Sequence, residues 1–180
     1  MAVEMYDVVD FQDEVIGQAT RERIHAEGLR HRAVHVLVRD EKGQVWLQRR
    51  SRYKRQHPLC WDSTCSGHVD AGESYLMAAE REFEEELGVK ARGLRAIFKL
   101  DACEETGWEF VWVYEVRWLG GGDFKPNEEE IEALGVFSFD EVEGLMKREA
   151  VAPAFRYLWP FYRLRVEQQQ MRPLMQRWVV

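Results

Sequence analysis

The stretch from Gly67 to Val89, GHVDAGESYLMAAEREFEEELGV, constrains this chain more than any other. It carries the signals of one amphipathic helix. Ser74 has an N-capping side chain, and Gly88 suits the left-handed residue that ends a helix, so the helix runs to about Leu87. At 3.6 residues per turn, Leu76, Ala79, Phe83 and Leu87 fall on one face, which is expected to pack against a sheet. Glu82, Glu85 and Glu86 lie three and four apart and share a neighbouring face with Ala78, whose methyl group leaves room for an ion and its waters. Like charges so placed repel unless a cation neutralises them. Hard carboxylate oxygens suit Mg²⁺ or Mn²⁺, and Mg²⁺ is usually held by a few carboxylates together with substrate phosphates.

A Glu-rich helix is more often a solvated face. Here the positions of the residues decide the matter. The stretch fits G-x5-E-x7-R-E-U-x-E-E-x-G-U throughout, with U a bulky apolar residue. Seven specified residues at about 7% usage each, with allowance for the high Glu content, coincide on the order of once in ten million windows. The pattern resembles the Nudix box, the signature of the Nudix hydrolase family. The resemblance implies an α/β/α sandwich with a mixed sheet. It also implies Mg²⁺- or Mn²⁺-dependent cleavage of a diphosphate linkage in a nucleoside diphosphate joined to another group. By the same resemblance Glu82, Glu85 and Glu86 ligate the metal, and the catalytic candidates are Glu82, Glu85 and Arg81. One of the glutamates would serve as base, and Arg81 would orient a glutamate by ion pairing. Glu73 would close the loop onto the helix, and Gly67 and Gly88 complete the motif. The box specifies a family and says little about substrate.

The chain has 180 residues, 46% of them hydrophobic, which fits one globular domain over residues 1–180 with a short N-terminal hairpin and a C-terminal helical extension. Its net charge of −7 argues against nucleic-acid polymers as partners, which require a basic footprint, and the resemblance implies a small-molecule diphosphate or nucleotide as substrate. Cys60, Cys65 and Cys103 are odd in number and lack paired spacing, so neither a disulfide framework nor a cysteine zinc site is expected. With no signal peptide and no long apolar run, a cytoplasmic protein without membrane contact is expected, with a homodimer as a candidate assembly.

Met5 to Val9 and Val15 to Ala19 read as strands, Arg21 to Glu27 as a short helix ended by Gly28, and Ala33 to Val38 with Val45 to Arg49 as a hairpin. After the box, Leu94 to Leu100 and Phe110 to Trp118 read as strands. The second is apolar on both faces over part of its length, as a covered sheet requires, so its aromatics are expected in the core. Gly120-Gly121-Gly122-Asp123 marks a sharp break. Gly135 to Phe139 reads as a short strand, and Asp140 with Glu143 starts a helix ending near Lys147 or Arg148. Pro153 opens a last helical segment with a kink expected at Pro160.

Arg49, Arg50 and Arg52 belong to a basic loop on an acidic protein. Such a loop is either a solubilising surface or an electrostatic guide for a phosphate substrate, and its place just before the box favours the second. His35 sits in a core-like strand as an internal residue. His25, His31 and His68 are candidates for a second metal site, since imidazole suits Zn²⁺ and Mn²⁺ better than Mg²⁺. Cys65 is expected to be a small buried hydrophobe.

A second resemblance touches the same region. The segment Trp61 to His68, the pair His25 and His31, and Glu109 are similar to isopentenyl-diphosphate isomerase, a Nudix-fold relative. In that enzyme a catalytic cysteine directly precedes the Gly-His pair, where this chain has Ser66. Cys65 is one residue early and, on a strand, faces the other way. The isomerase's second metal-binding glutamate would fall at Gly107, and the spacing of its first two histidines differs by one. The box, by contrast, is complete here. The reading is therefore a hydrolase, with an isomerase or a non-catalytic nucleotide-binding module as alternatives.

Overall fold

The computed structural model of the chain describes residues 3–119 and 124–175; the expected break at Gly120 to Asp123 lies outside them. β1 (Met5–Val9) and β2 (Val15–Thr20) form an antiparallel hairpin, followed by α1 (Arg21–Glu27), which Thr20 caps and Gly28 ends at φ 61°. Tyr6, Ala19 and Ile24 give this unit its own small apolar cluster. Asp13 ties it to the rest of the chain by accepting from Arg32 Nε at 2.6 Å and Tyr75 Oη at 2.8 Å.

The main sheet has seven strands: β3 (His31–Arg39), β4 (Val45–Arg50), β5 (Trp61–Asp62), β6 (Cys65–His68), β7 (Arg95–Leu100), β8 (Glu109–Arg117) and β9 (Ile131–Phe137). β3 and β8 run parallel at its centre, in register from His31↔Glu109 to Arg39↔Arg117, and the other pairings are antiparallel. α2 (Tyr75–Leu87) covers one face. α3 (Phe139–Arg148) and α4 (Pro153–Met175) cover the other. This is the expected α/β/α sandwich. β3 shows why its sequence is apolar on both faces: Val34, Val36 and Val38 pack with Phe83 and Leu87, while Ala33 and Leu37 pack with Phe155, Leu158 and Trp159. A buried polar network also pins α4 to the sheet. Glu115 on β8 accepts from Tyr162 Oη at 2.7 Å and pairs with Arg39 Nε at 3.2 Å.

Several local readings need correction. Leu76 is 45% exposed, because the stripe of α2 that faces the sheet runs through Tyr75, Ala78, Ala79, Phe83 and Leu87, which buries Ala78 in the apolar cluster instead. β9 starts at Ile131, not Gly135, since pairing with β4 recruits a segment that looked like part of an acidic run. α3 is capped by Ser138 and Glu141 in a reciprocal capping box, not by Asp140 and Glu143. α4 continues as one helix through Pro160.

Candidate active site

β3 and β4 leave their turn as partners for only two register pairs, Val38↔Trp46 and Arg39↔Val45. They then separate. β6 attaches to β3, β5 attaches to β4, and the gap opens as a cleft of about 590 Å³. Most groups singled out in the sequence line it, including Glu82, Glu85, Glu86, Arg81, His25, His68 and Glu109.

On the α2 side the fit is tight. A Cβ built on Gly67 would lie 2.0 Å from Glu82 Cδ, so the absence of a side chain there lets Glu82 lie against β6. Arg81 is the hub. Its Nε and Nη2 reach the two oxygens of Glu73 at 3.1 and 2.9 Å, and Nη1 reaches Glu82 at 2.7 Å and Glu85 at 3.3 Å. Its Nη2 also donates to His68 O at 3.0 Å, which fixes β6 to the helix. Glu86 accepts from Gln48 Nε2 at 3.0 Å. Burial pushes the Glu82 carboxyl up to about 7 despite the adjacent Arg81 guanidinium, and burial beside Glu82 pushes Glu86 well up too. Buried carboxylates facing one cleft suit a hard divalent cation, which would favour their charged forms. Gly88, at φ 68°, ends the helix where a side chain would also meet Lys125 O at 2.7 Å.

The same cleft holds a second constellation. His25 from α1, His31 from β3 and His68 from β6 place ligand nitrogens within 4.8 Å of one another. His31 Nδ1 is 2.9 Å from Leu29 O, which assigns a proton to Nδ1. His25 Nε2 and His31 Nε2 are buried without hydrogen-bond partners among the described residues. Glu109 Oε1 sits 3.1 Å from His68 Nε2 and 3.3 Å from His31 Nε2. Burial raises the Glu109 carboxyl, but the two imidazoles outweigh it and hold the group well below the carboxylate range. Burial holds His25 down to about 4, with His68 and His31 adding to the effect.

Of the three arginines of the basic loop, Arg50 lines the cleft and donates to Asp62 at 3.1 Å. Arg49 donates to Leu59 O at 3.2 Å, and Arg52 pairs with Glu132; neither is on the cleft wall. His35 is internal, 2.6 Å from Ser63 Oγ. Cys65 is fully buried in the α2-side cluster, and burial raises its thiol well up, with Glu86 and Glu82 adding to the shift. Gln48, Asp62, Arg21 and Lys54 also belong to the site. Lys54 lies in the basic loop and Asp62 in the Trp61 to His68 segment; Gln48 and Arg21 meet partners remote in sequence, and no local pattern announces those two.

A sandwich whose cleft of about 590 Å³ is lined by acidic helix side chains and by Arg50 and Lys54 has the features of a phosphohydrolase. Residues 29–158 match the NUDIX domain family, and the chain belongs to the Nudix hydrolases, enzymes acting on phosphoric anhydride bonds that generally need divalent metal ions. An uncharacterised Nudix hydrolase of Streptomyces coelicolor is 44% identical over 149 residues, covering 79% of each chain. One from a Nostoc species is 36% identical over 82% of this chain and 88% of its own. The crystal structure of DR0079 from Deinococcus radiodurans superposes with a TM-score of 0.77 at 29% identity, over 87% of this chain and 98% of that one. The Nudix domain of Shewanella oneidensis NrtR, solved with ADP-ribose, shares the fold with a TM-score of 0.60 at 14% identity, over 82% and 99% of the two chains. Among the described residues, no helix is long and apolar enough to cross a membrane.

Proposed function

We propose that this enzyme cleaves the diphosphate linkage of a nucleoside diphosphate joined to another group, with Mg²⁺ or Mn²⁺ held by Glu82, Glu85 and Glu86. The supporting observation is the Gly67–Glu82 contact under the Arg81 fork, which fixes hard oxygen donors at the cleft. A bound ion would neutralise phosphate oxygens and activate water. Arg81 orients Glu82 and Glu85, one of which accepts the proton of the attacking water. Arg50 and Lys54 draw the anionic substrate to the cleft wall. Incubation with Mg²⁺ or Mn²⁺ and a panel of nucleoside triphosphates, dinucleotides, nucleotide sugars, ADP-ribose and coenzyme A tests this. Metal-dependent release of a nucleoside monophosphate or a phosphorylated group is expected. Absence of turnover on the whole panel would remove the reading in favour of a binding module.

His25, His31 and His68, with Glu109, form a second site in this proposal, for Zn²⁺ or Mn²⁺. Protein purified without chelator is expected to retain this ion in Glu86→Gln and to lose it in His25→Ala, as read by elemental analysis. Equal retention by both variants would dismiss the site.

The environment of Cys65 bears on the isomerase alternative. Its thiol lies in the apolar cluster on the α2 side, where it is a poor acid, and Ser66 lines the cleft instead. Cys65→Ala is therefore expected to leave hydrolysis within a few-fold of wild type. Isopentenyl diphosphate should take up no deuterium from heavy water. Uptake by the wild type that disappears in Cys65→Ala would make the thiol a catalytic acid and reverse the reading.

A further inference from the structure

Residues 3–28 stand apart from the layers of the sandwich. None of them joins either large apolar cluster beside the main sheet, and they keep their own around Tyr6, Ala19 and Ile24. They also precede the matched family domain, which begins at Leu29. Yet Glu4, Tyr6, Arg21 and His25 line the cleft, and the Tyr6 ring stacks on His68 with centroids 4.7 Å apart. One wall of the site therefore belongs to a unit that the main core does not hold.

What holds it is largely polar. Val9 N donates to Arg30 O, Ala71 N to Met5 O and Gly72 N to Asp7 Oδ2, each at 2.9 Å. The densest tie is Asp13, at the tip of the β1–β2 hairpin. It is 8% exposed between two exposed neighbours, Gln12 and Glu14, and its backbone is left-handed at φ 67°. Its carboxylate accepts from Arg32 Nε at 2.6 Å and Tyr75 Oη at 2.8 Å, and it pairs with Lys99. These partners come from β3, α2 and β7, three separate elements of the main domain. They also hold one another. The Arg32 guanidinium lies 5.5 Å and Lys99 Nζ 5.7 Å from the centre of the Tyr75 ring, and Lys99 Nζ lies 4.9 Å from that of Phe110. The domain thus presents a socket, and one side chain of the hairpin fills it. Parting this joint hydrates charged groups and leaves both large apolar clusters intact, which is the condition for opening locally at less than the cost of global unfolding.

We propose that residues 3–28 form a hinged wall of the cleft, latched by Asp13 in the Arg32–Tyr75–Lys99 socket. Release carries Glu4, Tyr6, Arg21 and His25 away together. The hinge is the stretch Gly28 to Arg30, where Gly28 sits at φ 61° and the chain passes directly into β3. Passage of substrate or product through the opened wall rests on the hydrolase reading. The latch itself does not.

The test is amide hydrogen exchange on the full chain, stripped of metal by chelator so that no ion bridges His25 to His31 and His68. Asp13→Asn keeps the side chain's size and suits a left-handed backbone, but removes the charge. It should speed exchange across β1, β2 and α1 at least about tenfold, with β8 and the middle of β3 unchanged. Lys99→Gln, which alters the socket from the domain's side, should reproduce that pattern. Asp10→Ala is the contrast, because Asp10 Oδ1 accepts from Gln12 N and Glu14 N of its own turn. It should speed exchange in that turn alone. Two results overturn the proposal. If Asp13→Asn speeds only the turn amides, Asp13 is a local turn residue. If it speeds β8 and α1 alike, Asp13 supports the global fold and no separate wall opens. Exchange is read without metal or turnover, so a failure of the hydrolase reading stays distinguishable from a failure of the latch.

Discussion

Metal-free Glu86→Gln protein is expected to unfold at a higher temperature than the metal-free wild type, while binding Mg²⁺ or Mn²⁺ at least about tenfold more weakly. The two effects share one cause. Glu86 is 2% exposed, and its carboxyl is pushed well up by burial and by Glu82. A carboxyl raised in the folded state binds more protons there than in the unfolded chain, so its charged form lowers stability as pH rises above the unfolded value, about 4.5. Glutamine keeps an oxygen for Gln48 and removes the charge. The stability difference between variant and wild type should therefore be small near pH 4 and grow toward neutrality. The difference is the quantity to measure, because His25, His35 and His68 act in the opposite direction. Their pKa values are lowered mainly by burial, so they add stability as pH rises toward about 6.5. Calorimetric melting at several pH values, with cation titration alongside, checks both parts. A variant that melts lower than wild type at pH 7.5, or binds the cation equally well, would contradict the assignment.

Arg81→Lys is expected to keep the fold, with a melting temperature within a few degrees of wild type, and to lose activity by about a hundredfold. One guanidinium bridges Glu73, Glu82, Glu85 and the His68 carbonyl. An ammonium can satisfy part of that set and cannot form the two-pronged contact with Glu73. The loss should appear in kcat more than in KM, since the arginine positions glutamates and the substrate is drawn in by other cations. Undiminished kcat would reduce Arg81 to a surface charge.

Much of this site was readable because its residues are contiguous. Ser74, Gly88 and the box glutamates announce the helix, its ends and its chemistry within a few turns. What could not be read depends on distant partners. Leu76 is exposed and Ala78 buried because the stripe of α2 facing the sheet is centred on Ala78, Ala79 and Phe83, a rotation that the helix alone does not fix. β9 was disguised by Glu128 to Glu130 and by Glu132, and only its six register pairs with β4 make it a strand. The convergence of His25, His31 and His68 needs α1, β3 and β6 to meet, which residue spacing alone does not specify.

β3 carries two messages on one ribbon. Its even-numbered valines address α2, while His31 and His35 stand in the alternate phase with Ala33 and Leu37. Deleting or inserting a single residue in this strand would exchange the two sets, driving imidazoles into the valine layer and valines toward the cleft. Point substitutions there can be absorbed one at a time, but a change of length cannot. Length variation among relatives of this enzyme should therefore gather in the turn from Asp40 to Gln44 and leave the nine residues of β3 uninterrupted.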